Sequence, residues 1–130
     1  MTRRHRVRYV VGNRLGEVVS RTGAEHLGYQ AVLPDANTPW PEDLGEAMQL
    51  FLDEQKAVLP LLRSCDAPDA VLYDIGGYAG RVAAYQWRVP AVQLSPTYVA
   101  WDGYEQDMAD FIAGLGASPS GARYFAEVRA

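Results

Sequence analysis

Apolar residues gather in short blocks separated by stretches of helical period, and the sharpest block is Ala70-Val71-Leu72-Tyr73. It follows Pro68-Asp69, reaches a carboxylate at Asp74, turns on Gly76-Gly77 and enters a helix-like pattern from Tyr78 to Trp87. That order predicts a buried parallel strand, a tight turn and a helix. Arg88-Val89-Pro90 closes the helix, and Pro90 to Leu94 reads as a second strand that ends in Ser95-Pro96-Thr97. Ligands of open α/β sheets bind beyond the carboxyl ends of such strands. Asp74 and the Ser95 region therefore form a candidate rim. Asp74 has a second reading at this point, as a side chain that caps the next helix.

The rest of the chain fits the same alternation. Val7 to Val11 reads as a strand in which Arg6 and Arg8 alternate with apolar residues. After a turn at Gly12-Asn13, a short helix is expected from Arg14 to Thr22, closed by Gly23. Ala24 to Leu33 reads as a weaker strand with Leu27, Tyr29, Ala31 and Leu33 on one face and His26 on the other, toward solvent. Gly28 weakens that strand. Pro34 to Pro41 is a proline-rich loop whose Trp40 is either a wall for a large apolar ligand or a packing anchor. Glu42 to Arg63 is the longest helical segment. Leu44, Met48, Leu52, Leu59 and Leu62 form its stripe, with Phe51 and Val58 beside them and Asp53, Glu54 and Lys56 elsewhere. Pro60 is expected to kink or shorten it. Beyond Ser95, a loop to Gly103 carries Tyr98 and Trp101, with Tyr104 next to it. A helix is expected over Glu105 to Ala113, a flexible connector over Gly114 to Gly121, and a further helix from Gly121 to Ala130.

Length and charge narrow the classes. The 130 residues allow a single domain. A net charge of −4 argues against a general nucleic-acid binder, and the basic run from Arg3 to Arg8 is not repeated elsewhere. The single Cys65 excludes an intrachain disulfide and a multi-cysteine zinc site. No apolar run is long enough to span a membrane, and no signal-peptide pattern follows the basic start. A cytoplasmic protein is expected.

The standard catalytic motifs are absent from the sequence. There is no P-loop, no G-x-G-x-x-G and no G-x-S-x-G, and His5 and His26 lack metal-ligand spacing. Asp66 and Asp69 lie at the start of the strand that ends at Asp74, so a carboxylate pair is not formed there.

Several segments resemble the bacterial macrolide glycosyltransferases of the UDP-glycosyltransferase family. They are Pro68 to Asp74, Ala79 to Ala83, Trp87 to Val92, Leu94 to Pro96 and Val99 to Glu105, with weaker matches at Arg4 to Tyr9 and Thr22 to Ala24. The resemblance implies an α/β fold: a partial Rossmann-like parallel sheet from the N-terminal, acceptor-binding domain of a two-domain GT-B enzyme. It implies an inverting transfer from a UDP-sugar to a macrolide hydroxyl, and a link to antibiotic resistance. A family histidine takes the acceptor proton and an aspartate orients that histidine. Asp74 matches the aspartate. The implied acceptor rim is Ile75, Gly76, Ser95, Tyr98 and Trp101, with no metal and no cofactor.

The pattern also departs from the family. The family's first strand, with its catalytic histidine, precedes the segment that matches Arg3, and His5 matches a different, strand-entry histidine. The nucleotide-sugar domain lies beyond the matched region, so this chain alone is expected neither to bind the UDP-sugar nor to turn over. Gly76-Gly77 stands where larger polar residues are common, which implies a different acceptor pocket. In a doubly wound sheet the family's first strand lies between the strands at Val7–Val11 and Ala70–Tyr73. Without it, backbone groups are left unpaired on both sides. A poorly stable or rearranged domain is expected, or one completed by another chain. A non-catalytic ligand-binding or partner-docking module remains the alternative, as does a truncated reading frame.

Overall fold

The computed structural model describes residues 5–95 and 102–130. Its frame is a long helix, Leu44–Arg63, with a β-α-β unit on either side of it in the chain. The first unit is β1 (Arg8–Gly12), a 3-10 turn (Asn13–Leu15), α1 (Gly16–Ser20) and β2 (Glu25–Tyr29). The long helix is α2. The second unit is β3 (Val71–Asp74), α3 (Tyr78–Trp87) and β4 (Ala91–Leu94), followed by α4 (Tyr104–Asp107), α5 (Ala109–Ala117) and α6 (Pro119–Arg129).

Both strand pairs are parallel, as helical crossovers require. In the first, Arg8 faces Glu25 and Gly12 faces Tyr29; in the second, Val71 faces Ala91 and Asp74 faces Leu94. The pairs form separate two-stranded sheets, and no ladder joins β1 to β3 among the described residues. The two units are tied by side chains and by α2. One such tie is the Arg8 guanidinium, which donates to the Asp66 carbonyl at 2.8 Å.

The core lies between α2 and α3. Val58 and Leu62 pack on Ala79 and Ala83, with Val10, Tyr29, Leu59 and Trp87 around them. The alanines of α3 let the two helices approach closely, and Ala83 and Ala84 are each only 1% exposed. The opposite sheet face is uncovered among the described residues. Leu72 is 64% exposed, Val92 50% and Leu94 51%. Strands of parallel sheets are normally covered on both faces.

The helix ends follow their local chemistry. Asp43 caps α2 by accepting the Glu46 amide at 2.8 Å. Hydrogen bonds from Ser120 and then from Glu46 hold its carboxyl below the usual carboxylate range. Pro60 falls in the last turn, and α2 continues past it to Arg63. The helix α3 ends with Arg88 in the left-handed region at φ 58°. Its amide returns to the Tyr85 carbonyl and the Val89 amide to that of Ala84, a Schellman closure ahead of Pro90.

Several expectations are corrected. The strand expected over Ala24 to Leu33 ends at Tyr29, so Ala31 and Leu33 share no strand face with it. The connector expected over Gly114 to Gly121 is helical: α5 runs to Ala117 and α6 begins at Pro119, with Ser118 capping it through the Gly121 amide at 3.0 Å. The helix expected over Glu105 to Ala113 is divided at Met108 into α4 and α5. His26 is half-buried rather than turned to solvent. Its Nε2 lies 3.0 Å from the Val11 carbonyl. The ring fills space left by glycines, since a Cβ on Gly16 would come within 2.7 Å of its Nδ1.

The α2–α6 crossing also rests on small residues. A Cβ on Gly45 would lie 2.4 Å from the Gly121 backbone nitrogen, which has no flexible atom to yield. Lys56 and Gln49 of α2 both reach Glu127 of α6. Gly114, by contrast, faces open space within α5. Gly45→Ala should therefore lower stability by about 1–3 kcal/mol through overpacking. Gly114→Ala should be neutral or raise it by about 0.5–1 kcal/mol through helix propensity. Thermal or urea unfolding of the two variants checks both signs.

Candidate functional site

The candidate rim is built where β3 gives way to α3. The backbone leaves Asp74 at the exposed carboxyl end of the strand and folds back at once. The Asp74 Oδ1 accepts the Gly76 amide at 3.0 Å, and its carbonyl accepts the Gly77 amide at 3.0 Å. This is an Asx turn. The N-cap of α3 is Gly77, with no side-chain cap bond. Asp74 thus closes the turn before the helix instead of capping the helix itself. A Cβ on Gly77 would lie 3.0 Å from Asp74 Oδ1, so the turn leaves little room for a larger residue.

Around this turn the chain gathers apolar surface. Ile75 is 44% exposed at its apex. Gly76 faces the ring of Phe51, and that ring meets Trp40 with centroids 5.4 Å apart. Trp40, 46% exposed, is thus both anchored and available at the surface. Ser95 follows Leu94, the ladder partner of Asp74, so the two strand ends are adjacent. Tyr98 and Trp101 lie outside the described residues. Among the described residues no group of His, Cys, Asp and Glu is arranged to hold a metal ion.

Two polar residues at the rim were not singled out from the pattern. Glu54, expected off the packed stripe, is 5% exposed. Its Oε1 accepts the Tyr29 hydroxyl at 2.5 Å, and its Oε2 accepts the amides of Val32 at 2.5 Å and Leu33 at 3.0 Å. A buried carboxylate is tolerated when its oxygens are supplied with donors in this way. The signal was present in the sequence, because Glu54 is one helical repeat from Val58 and two from Leu62. The second residue is Gln55. Its side chain donates to the Gly76 carbonyl at 2.8 Å and accepts the Ala79 amide at 2.7 Å. No periodicity could have indicated that role, since both partners lie more than twenty residues away.

Burial, then the hydrogen bond to Glu54, raises the Tyr29 phenol above the ordinary value, with a smaller contribution from the negative charge of Asp74.

The fold is that of part of a GT-B glycosyltransferase. The structure overlays on the glycotransferase of kitacinnamycin with a TM-score of 0.83 and 36% identity, covering 95% of this chain and 31% of that one. It also overlays on the calicheamicin glycosyltransferase CalG4 with a TM-score of 0.70 and 22% identity, a likeness of fold alone. In sequence the chain is 40% identical over 116 residues to the oleandomycin glycosyltransferase of Streptomyces antibioticus, covering 85% of this chain and 27% of that protein. It is 33% identical over 105 residues to the NDP-glycosyltransferase YjiC of Bacillus licheniformis, covering 74% and 26%. No family model matches. The resemblance to bacterial macrolide glycosyltransferases is thereby upheld, and the chain spans about a quarter of the length of the curated relatives it matches.

The Tyr29–Glu54 contact makes a pH prediction. A phenol whose folded pKa is raised contributes stability that is complete below the unfolded value of 10.0 and is lost as pH rises above it. Unfolding free energy should therefore fall as pH rises past 10, and Tyr29→Phe should flatten part of that fall. At neutral pH the same variant should cost about 1–3 kcal/mol, because Glu54 Oε1 loses its hydroxyl donor. Urea titrations of both proteins at neutral and alkaline pH read both effects.

Proposed function

We propose that this chain is the acceptor-binding portion of an inverting glycosyltransferase that transfers a sugar from a UDP-sugar to a hydroxyl of a macrolide-like acceptor in the cytoplasm. The observation that carries the reading is Asp74. It occupies the carboxyl end of a parallel strand in a chain 40% identical to an oleandomycin glycosyltransferase. There its carboxylate is oriented by the Gly76 amide, beside the apolar surface of Ile75, Phe51 and Trp40. In this reading Asp74 orients a histidine supplied by further polypeptide and stabilises the imidazolium formed when the acceptor hydroxyl gives up its proton. Ile75, Gly76, Ser95, Tyr98 and Trp101 contact the acceptor. In this reading the donor is held by a nucleotide-sugar domain that lies outside the matched region.

The same reading explains the divided sheet. Among the described residues, two parallel pairs with no ladder between them and an uncovered apolar face at Leu72, Val92 and Leu94 favour completion by a further strand and its helix. The added polypeptide would bring the histidine to Asp74. A purely ligand-holding or partner-docking role is the competing reading, favoured by the same exposed face, and it needs no turnover.

Addition of a polypeptide carrying the family's first strand and its nucleotide-sugar domain should produce sugar transfer to a macrolide. Asp74→Asn should then lower turnover by about a hundredfold or more while acceptor binding persists. An amide NMR titration with a macrolide follows binding in both proteins. Binding without turnover in the complemented wild type would favour the docking module and defeat the enzymatic reading.

A further inference from the structure

The loops that leave β2 and β3 belong to sheets that share no ladder among the described residues, yet both are hydrogen-bonded to adjacent residues of one helix. We infer that Glu54 and Gln55 are a positioning pair through which α2 sets the two rim loops against each other and thereby places Asp74. The functional meaning of this pair rests on the acceptor-domain reading above; the contacts themselves do not.

Gly76 is the junction between the carboxylate and the helix. Its amide donates to Asp74 Oδ1 at 3.0 Å, and its carbonyl accepts from Gln55 at 2.8 Å. A single residue is therefore bonded to the Asp74 carboxylate on one side and to α2 on the other. The Gln55 carbonyl oxygen also accepts the Ala79 amide at 2.7 Å, in the first turn of α3, where helices leave amides without internal partners. A primary amide serves both sites at once, because one needs a donor and the other an acceptor. The assignment of its nitrogen and oxygen follows, since the Gly76 carbonyl cannot donate and the Ala79 amide cannot accept.

Glu54 does the equivalent work one residue earlier. It accepts from the Tyr29 hydroxyl and from the amides of Val32 and Leu33, which are the first part of the loop leading to Trp40. Successive residues of a helix point about 100° apart. That divergence lets neighbouring side chains reach loops on different strands. The helix itself is anchored by Val58 and Leu62 in the core, so the two loops take their separation from a rigid element.

Residue-resolved hydrogen exchange on the full chain tests the pair. Gln55→Met removes both rim bonds, together with a longer donation to the Phe51 carbonyl at 3.3 Å, at nearly constant volume. It should accelerate exchange at Gly76 and Ala79 by about tenfold, while Val32, Leu33 and the α2 amides stay within about twofold. Gln55→Glu keeps the acceptor and loses the donor, so Ala79 should remain protected while the turn, its Gly76 carbonyl without a donor, loosens the Gly76 amide from Asp74. Glu54→Gln should accelerate Val32 and Leu33 without changing Ala79. In the unaltered chain the Gln55 side-chain amide protons should exchange slowly and show a nuclear Overhauser contact to the 76–79 turn. Unchanged exchange at Gly76 and Ala79 in Gln55→Met, or uniform acceleration across the chain, would overturn the inference. So would freely exchanging Gln55 side-chain protons, a readout that holds even where a variant does not fold. The measurement uses neither acceptor nor donor. A chain that fails to bind a macrolide while keeping these signatures defeats the acceptor-domain reading and leaves the positioning pair intact.

Discussion

Everything described here depends on one face of α2 packing on the alanine face of α3. Val58 and Leu62 sit against Ala79 and Ala83, and no large side chain is fully buried anywhere among the described residues. The contact is tight because the alanines are small. It fixes the position of α3, hence of the turn before it, hence of Asp74. On its other side α2 crosses α6 at Gly45 and Gly121, where a single methyl group would collide with backbone. The helix is therefore held by close approach on both sides, which is what allows its polar residues to act as fixed points.

The polar residues use that rigidity. A buried carboxylate is costly unless its oxygens are satisfied. Glu54 meets the requirement with one hydroxyl and two backbone amides, all from the chain just before and beyond the end of β2. Gln55 satisfies a carbonyl and an amide that the β3–α3 turn cannot pair internally. The loops at the rim are consequently ordered by side chains from a helix, while the sheets beneath them remain two separate pairs. The surface ion pairs, by comparison, contribute little: Arg6–Glu25 and Arg21–Glu17 lie in water, where screening and side-chain entropy offset the attraction.

The relation to the glycosyltransferases gains physical content from this arrangement. The matched region is about a quarter of the curated relatives, yet it carries a complete β-α-β unit, an aspartate at its strand end and an aromatic pair beside it. It also carries an apolar sheet face that nothing in the described residues covers. In the proposed reading the oriented carboxylate is half of a proton-transfer site, the other half is a group that it orients, and the sheet face left uncovered among the described residues is where further polypeptide packs.

The sequence by itself determined the local elements. The apolar run before Asp74, the Gly76-Gly77 turn and the period of Tyr78 to Trp87 each state their structure within a few residues, and β3 and α3 appear where the pattern puts them. The resemblance to macrolide glycosyltransferases was legible for the same reason, because it rests on contiguous segments. Tertiary structure alone decided the rest. His26 lies under α1 because Gly16 and Gly28 leave space there, a complementarity between segments that no window of sequence contains. Glu54 is buried because the partners for its oxygens arrive from a loop more than twenty residues earlier. Pro60 leaves α2 unbroken because it falls in the final turn, with Leu62 beyond it already packed in the core. Hydrophobic period is a local property of the chain, whereas the satisfaction of a buried polar group depends on what the fold brings to it.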